Sequence, residues 1–195
     1  MNILSLDVEA LGPCPPYQLR QIGLVLLNPE GEELDRLERN VLPEGPIHPE
    51  YQSFWDLPKN ADTFRSFDKD AISLYWTGVD VARFIGKCSA KGPFELVAAP
   101  SSYDVAFLCW ALCQARCDKV FFVGADVRSY LQGWAGVDHH ETSNKFWTHQ
   151  LENKHTAAAD ALEQGRFFAA MKRARKAGEH PPMLVKGFQP PTTAE

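Results

Sequence analysis

The stretch that most constrains this chain is its first nine residues, Met1-Asn2-Ile3-Leu4-Ser5-Leu6-Asp7-Val8-Glu9. Ile3, Leu4 and Leu6 form an apolar run of strand length, and the run ends in two carboxylates one residue apart. Alternate side chains of a strand share a face, so Asp7 and Glu9 point the same way at the mouth of a buried strand. Like charges held that close repel unless a cation neutralises them. Hard divalent cations such as Mg²⁺ take oxygen ligands, commonly one or two carboxylates plus substrate phosphates. Taken alone, Asp-x-Glu reads equally well as a solvated strand end with two unrelated acids. The remainder of the chain has to decide.

A length of 195 residues suits one domain with a sizeable core and is short for two. The five cysteines, Cys14, Cys88, Cys109, Cys113 and Cys117, form no Cys-x-x-Cys pair and no disulfide framework. They predict a reducing intracellular compartment such as the cytoplasm. The chain enters its first strand without a basic and apolar leader, and no apolar run approaches the ~20 residues of a membrane helix. Neither secretion nor a membrane partner is expected. The net charge of −5 argues against holding nucleic acid on a broad basic surface. It leaves open nucleic acid as a substrate gripped through metal ions.

Residues 10–16 are rich in Pro and Gly and predict a loop. Apolar runs at 21–28 and 33–42, the latter by alternation of Leu34, Leu37 and Val41, complete a strand-turn-strand meander with the first strand, a short helix at 33–42 being the alternative. Residues 43–58 read as a Pro-rich loop whose Tyr51, Phe54 and Trp55 pack onto the domain or offer a stacking surface for bases. Helices are predicted at 60–68 and 79–88, then a short strand at 94–99. A helix from 102 to about 116 follows, with Asp104 in its first turn as dipole complement or third carboxylate. Cys109, Cys113 and Cys117 on that helix lack zinc-site spacing and are expected as buried small hydrophobes.

A fifth strand is predicted at 119–123, then a helix start with Asp126 near its N-cap. A polar segment at 134–150 carries His139, His140 and His149 as surface residues. From His155 to Met171 an Ala-rich helix places small residues at Ala157 and Ala161 for close packing. Asp160 stands in that apolar stretch, where an acid without a role is expensive to bury. Lys172, Arg173, Arg175 and Lys176 suit the C-terminal dipole. A domain over 1–177 and a flexible Pro-rich tail over 178–195 are expected.

Three segments then stand in order over residues 6–161: Leu6-Asp7-Val8-Glu9, Ser102-Tyr103-Asp104-Val105-Ala106-Phe107-Leu108, and His155-Thr156-Ala157-Ala158-Ala159-Asp160-Ala161. With them the chain resembles the DEDDh 3′-5′ exonucleases, a group that includes the proofreading subunit of bacterial DNA polymerase, RNase T and oligoribonuclease. Gln21-Ile22-Gly23-Leu24-Val25 looks like the family's second strand. There are departures. Ala10-Leu11-Gly12-Pro13 lacks the Thr that often follows the Glu, Pro100-Ser101-Ser102 replaces a polar His or Asn, and Tyr103 stands where Phe is usual. These bear on substrate contact and leave the metal ligands intact.

The resemblance implies an α/β, ribonuclease H-like fold: a mixed five-stranded sheet, its first three strands antiparallel, flanked by helices. It implies two divalent ions, Mg²⁺ with Mn²⁺ able to substitute, held by Asp7, Glu9, Asp104 and Asp160, with Asp7 bridging and His155 as general base. Ala10, Leu11 and Tyr103 are the expected substrate contacts. The partner is nucleic acid with a 3′ end, single-stranded or an overhang, releasing nucleoside 5′-monophosphates; a homodimer is common among relatives. Two alternatives stay open: a non-catalytic member of the fold that binds nucleic-acid ends or scaffolds a complex, and a phosphatase acting on a small nucleotide. RNA and DNA are not distinguished by the sequence, since that choice rests on contacts at the sugar 2′ position.

Overall fold

Residues 1–117, 124–135 and 156–179 are described in the computed structural model. In chain order they form β1 (Asn2–Ala10), β2 (Leu19–Leu27), β3 (Glu33–Asn40), α1 (Pro49–Trp55), α2 (Pro58–Ser66), α3 (Leu74–Ala90), β4 (Phe94–Ala98), α4 (Ser101–Gln114), β5 (Ala125–Asp126), α5 (Val127–Ala135) and α6 (Ala157–Lys176). The sheet order is β3-β2-β1-β4-β5. β1 pairs antiparallel with β2, and β2 with β3, whereas β4 runs parallel to β1 and β5 parallel to β4. β1 is therefore central, with an antiparallel neighbour on one side and a parallel one on the other. This is the mixed sheet that the sequence predicts. None of the described helices is long and apolar enough to cross a membrane.

The alternation of β1 divides its side chains between two cores. Leu4, Leu6 and Val8 join Ile22, Leu24 and Leu26 beneath Val81, Phe84 and Ile85 of α3 and Phe107, Leu108 and Ala111 of α4. Ile3, on the other face, joins Val25 and Leu27 beneath Val127 of α5 and Phe167, Phe168 and Met171 of α6. Asp7 and Glu9 have the parity of Ile3, so they emerge on the α6 side of the sheet.

α6 lies unusually close to that face. A Cβ at Gly23 would sit 2.2 Å from both the carbonyl carbon of Ala157 and the nitrogen of Ala158. One at Gly165 would meet Leu27 Cδ1 at 2.5 Å and Ser5 Cβ at 2.9 Å. The first turn of α6 is satisfied by the sheet itself. Gln21 Oε1 accepts the Ala157 N–H at 2.7 Å and Glu38 Oε2 accepts the Ala158 N–H at 2.9 Å. Thr156, the N-cap residue, contributes no side-chain bond. Those two side chains take over the role an N-cap residue ordinarily plays.

Several sequence expectations are corrected. The loop expected over 43–58 contains α1, and α2 begins at its end; each helix opens on a proline, Pro49 and Pro58, a position where the missing N–H costs no hydrogen bond. α3 starts five residues earlier than its apolar pattern suggests, capped by Ser73 Oγ, which accepts the Trp76 N–H. Gly78, which discourages a helix in sequence terms, is needed there, since a Cβ would fall 2.0 Å from the Ala111 carbonyl oxygen. Leu34 does not join the core: it has the opposite parity to the buried Leu37 and is exposed. Cys113 is exposed and Cys109 half-buried, so these two thiols flank the packed face of α4, whereas Cys117, past the end of that helix, is half-buried against the core. The strand expected at 119–123, and His139, His140, His149 and His155, lie outside the described residues.

The contact at Gly23 predicts that Gly23→Ala lowers stability by about 1–3 kcal/mol, as overpacking does. Gly86, inside α3, is the control, because a Cβ added there would have nothing within 4 Å. Gly86→Ala should stabilise by about 0.5–1 kcal/mol through helix propensity. Urea unfolding of both variants checks the pair, and equal stability of Gly23→Ala and the unaltered protein would remove Gly23 as a packing constraint.

Candidate metal centre

Three elements far apart in sequence deliver acids to the carboxyl end of β1. Asp7 sits opposite Gly23 in the β1–β2 register, and Glu9 lies beside an irregularity in the pairing, where Glu9 faces Gln21 and Ala10 faces Leu19. Because nothing projects from Gly23, the first turn of α6 drops over Asp7 and brings Asp160 with it. Oxygens of Asp7, Glu9 and Asp160 lie within 4.8 Å of one another. The cavity they line, about 170 Å³, is completed by Asp104 from the first turn of α4, Tyr103, Arg128 and Gln164. It lies outside the carboxyl ends of the parallel strands β1 and β4, the usual side for a ligand site in an open α/β sheet.

The acids are held in surroundings unfavourable to their charge. Asp104 and Asp160 are only 2% and 6% exposed, and Asp7 and Glu9 are half-buried. Burial, and then the neighbouring carboxylates of Asp104, Glu9 and Asp160, hold Asp7 well above the usual carboxylate range. Glu9 is raised by burial first and then by Asp160, Asp104 and Glu38. Asp104 is pushed up to about 8 by burial, against the pull of the Val8 and Ala99 backbone N–H groups and the Arg128 guanidinium. This is an arrangement that favours either protons or a cation.

The donor set fits a hard divalent cation. Every ligand atom offered is oxygen. Two further oxygens in the cavity, Asp104 Oδ2 and Gln164 Oε1, are buried without a hydrogen-bond partner among the described residues. Orphaned acceptors of this kind are rare in folded proteins and point to a group that fills them. The scaffold around them is fixed by Asp126. Its Oδ2 accepts the Ser101 N–H at the start of α4 and its Oδ1 the Ser129 N–H in the first turn of α5, both at 2.7 Å. The first bond holds the turn that carries Asp104, the second the turn that carries Arg128.

The structure thus brings together Asp7, Glu9, Asp104 and Asp160. His155 lies outside the described residues, directly before Thr156. Ala10 and Tyr103 line an adjoining cleft of about 460 Å³ with Glu50, Tyr51, Phe54 and Trp55. Val8, Glu9, Pro100 and Tyr103 form a wall common to cleft and cavity. Tyr103 stacks on Tyr51, ring centroids 6.5 Å apart and 15° from parallel. Burial first, then Tyr51 and the nearby acids, raise its phenol pKa, so it remains a hydroxyl donor. Leu11, expected as a substrate contact, has no exposed surface and packs with Trp55 and Phe67. Its N–H and carbonyl are engaged by the Gln18 carbonyl and the His48 N–H.

Sequence reasoning missed Gln164 and Arg128. Gln164 carried the same signal that singled out Asp160, a polar residue in an Ala-rich apolar helix, one turn further on. Arg128 stood out only as part of Asp126-Val127-Arg128, and its place beside Asp104 is made by the fold.

No family model matches the chain, and no curated protein matches it in sequence. Solved structures do. A zinc-bound complex of Escherichia coli exonuclease I with single-stranded DNA superposes with a TM-score of 0.62 at 11% identity, covering 90% of this chain and 41% of that one. A moderately thermophilic exonuclease I from Methylocaldum szegediense gives 0.58 at 12% identity, with 90% and 41% covered. Exonuclease X in complex with 5′-overhanging duplex DNA gives 0.51 at 14% identity and covers 92% of this chain and 94% of that one. The chain spans about two fifths of the exonuclease I chains and nearly the whole of exonuclease X. At these identities the likeness is one of architecture: the chain shares the mixed five-stranded α/β fold, ribonuclease H-like in its strand order, found in these structures.

Proposed function

We propose that the protein is a metal-dependent 3′-5′ exonuclease that hydrolyses the terminal phosphodiester of a single-stranded 3′ end or overhang. The observation that carries this is the meeting of Asp7, Glu9 and Asp160 within 4.8 Å in a cavity that shares a wall with an aromatic cleft. The three exonucleases of the same fold, two of them holding DNA, support the reading.

A base lying in the cleft meets Tyr51, Phe54 and Tyr103, and stacking of this sort contributes about 1–3 kcal/mol per base regardless of sequence. Its phosphate then falls at Glu9, on the common wall. The carboxylates are recessed at the end of β1, so one strand end reaches them more readily than an intact duplex. Divalent ions bound there supply charge neutralisation for the phosphodiester and a nucleophile at neutral pH. Asp7, Glu9 and Asp160 hold the ions, and Asp104 supports them from α4. His155, one residue before the N-cap of α6, takes the proton from the attacking water, for which an imidazole pKa near ~6.5 is suited. Tyr103, as a buried hydroxyl, and Ala10 position the terminal nucleotide.

Asp7→Ala or Asp160→Ala should abolish release of nucleoside 5′-monophosphates from a 3′-labelled oligonucleotide in Mg²⁺ or Mn²⁺, with the fold retained by circular dichroism. His155→Ala should lose most turnover and keep its metal binding. Matched single-stranded RNA, single-stranded DNA and overhang duplexes, assayed side by side, identify the polymer. Full activity of the Asp variants sinks the assignment, and free phosphate as product makes the protein a phosphatase.

The same acids set a pH dependence. Asp104 titrates near ~3.9 in an unfolded chain and at about 8 here, so across that interval the folded protein binds the extra proton. Its contribution to stability is fully present below about pH 4 and is lost as the pH rises through about 8. Asp7 and Glu9 act in the same direction. Thermal melts without metal should therefore show a midpoint that falls from about pH 5 to about pH 8. Mg²⁺ or Mn²⁺ should raise the midpoint more at the upper end, and a flat metal-free profile would contradict this account.

A further inference from the structure

Gln164 lines the acidic cavity beside Asp7, and the function proposed above gives it no task. It is 2% exposed and lies one helical turn beyond Asp160, on the face of α6 that covers β1. Its amide is used by halves. Nε2 donates to Asp7 Oδ1 at 2.7 Å, while Oε1 is buried with no hydrogen-bond partner among the described residues. A glutamine present only to fill space would not keep an orphaned carbonyl: burying an amide oxygen unpaired costs about 1–3 kcal/mol, and an apolar side chain of the same length avoids that loss. A glutamine present only to hold Asp7 would leave the carbonyl with the same deficit.

Both halves are explained together if the cavity holds a cation. We infer that Gln164 belongs to the cation site, its amide N–H holding Asp7 in place and its carbonyl presenting a neutral oxygen to the ion. This rests on the reading of the cavity as a metal centre. The chemistry is consistent: hard divalent ions accept amide oxygens alongside carboxylates, and a neutral ligand adds coordination without adding to the repulsion among Asp7, Glu9 and Asp160. Its donor half lowers the energy of the charged form of Asp7, which its neighbours raise. Gln164 is thus a positioning residue for Asp7 and a ligand in its own right. Gly165, the next residue, leaves no room for a side chain beside Leu27 and Ser5, so α6 lies close to the sheet where Gln164 stands.

The test is Mn²⁺ binding to metal-free protein, measured by isothermal titration calorimetry and by the loss of the free-ion electron paramagnetic resonance signal. Gln164→Met keeps the length and the unbranched shape of the side chain and removes both polar atoms. It should bind Mn²⁺ about tenfold or more weakly, the usual effect of losing a partner that orients a metal ligand. Its metal-free melting temperature should stay close to that of the unaltered protein, because the orphaned Gln164 oxygen is gone while Asp7 Oδ1 loses its donor. Gln164→Leu, a second apolar replacement, should agree. Unchanged Mn²⁺ affinity in a folded variant, or a cavity that binds no Mn²⁺ in the unaltered protein, overturns the inference. Mn²⁺ binding that depends on Gln164 in a protein that degrades no oligonucleotide upholds it and removes the nuclease reading instead.

Discussion

The site depends on one contact between backbones, the seating of the first turn of α6 on β2 at Gly23. The position is possible because Gly23 has no side chain, and it is held because Gln21 and Glu38 accept the N–H groups of Ala157 and Ala158. Gly23 is the register partner of Asp7. The same contact therefore decides how near Asp160 comes to Asp7 and Glu9. Had the helix been spaced by a side chain at Gly23, the carboxylates could not have met within 4.8 Å.

That closeness sets up an opposition between folding and charge. The apolar packing of Phe167, Phe168 and Met171 against Ile3, Val25 and Leu27 drives α6 onto the sheet. The carboxylates that it brings along resist being together, and their raised pKa values record the resistance. Hydrophobic burial thus holds an electrostatic arrangement that would not persist by itself. Such stored tension is characteristic of places where a ligand does the balancing.

Much of this was legible from residues. The apolar run ending in Asp7 and Glu9, the acid Asp104 at a helix start and the misplaced acid Asp160 each signalled locally, and the two-sided burial of β1 follows from its alternation. What could not be read was set by partners distant in sequence. Helices α1 and α2 were hidden because Pro49 and Pro58 mark loops and helix starts alike. The early start of α3 was hidden because the need for Gly78 lies in Ala111, on another helix. Arg128 took its place only when α5 was set beside α4, and Gln164, a polar residue in an Ala-rich helix like Asp160, showed its role only when α6 was seated over Asp7. Leu11 shows the converse: a position that adjoins the site in sequence can be its foundation without touching it.

Asp126 ties two helix starts to one carboxylate, through Ser101 on α4 and Ser129 on α5. Asp104 and Arg128, which line the cavity from those two helices, are thus registered against one common anchor. The spacing of acid and base on that side is set by one side chain that belongs to neither helix's packed face, so the wall they form is assembled as a unit.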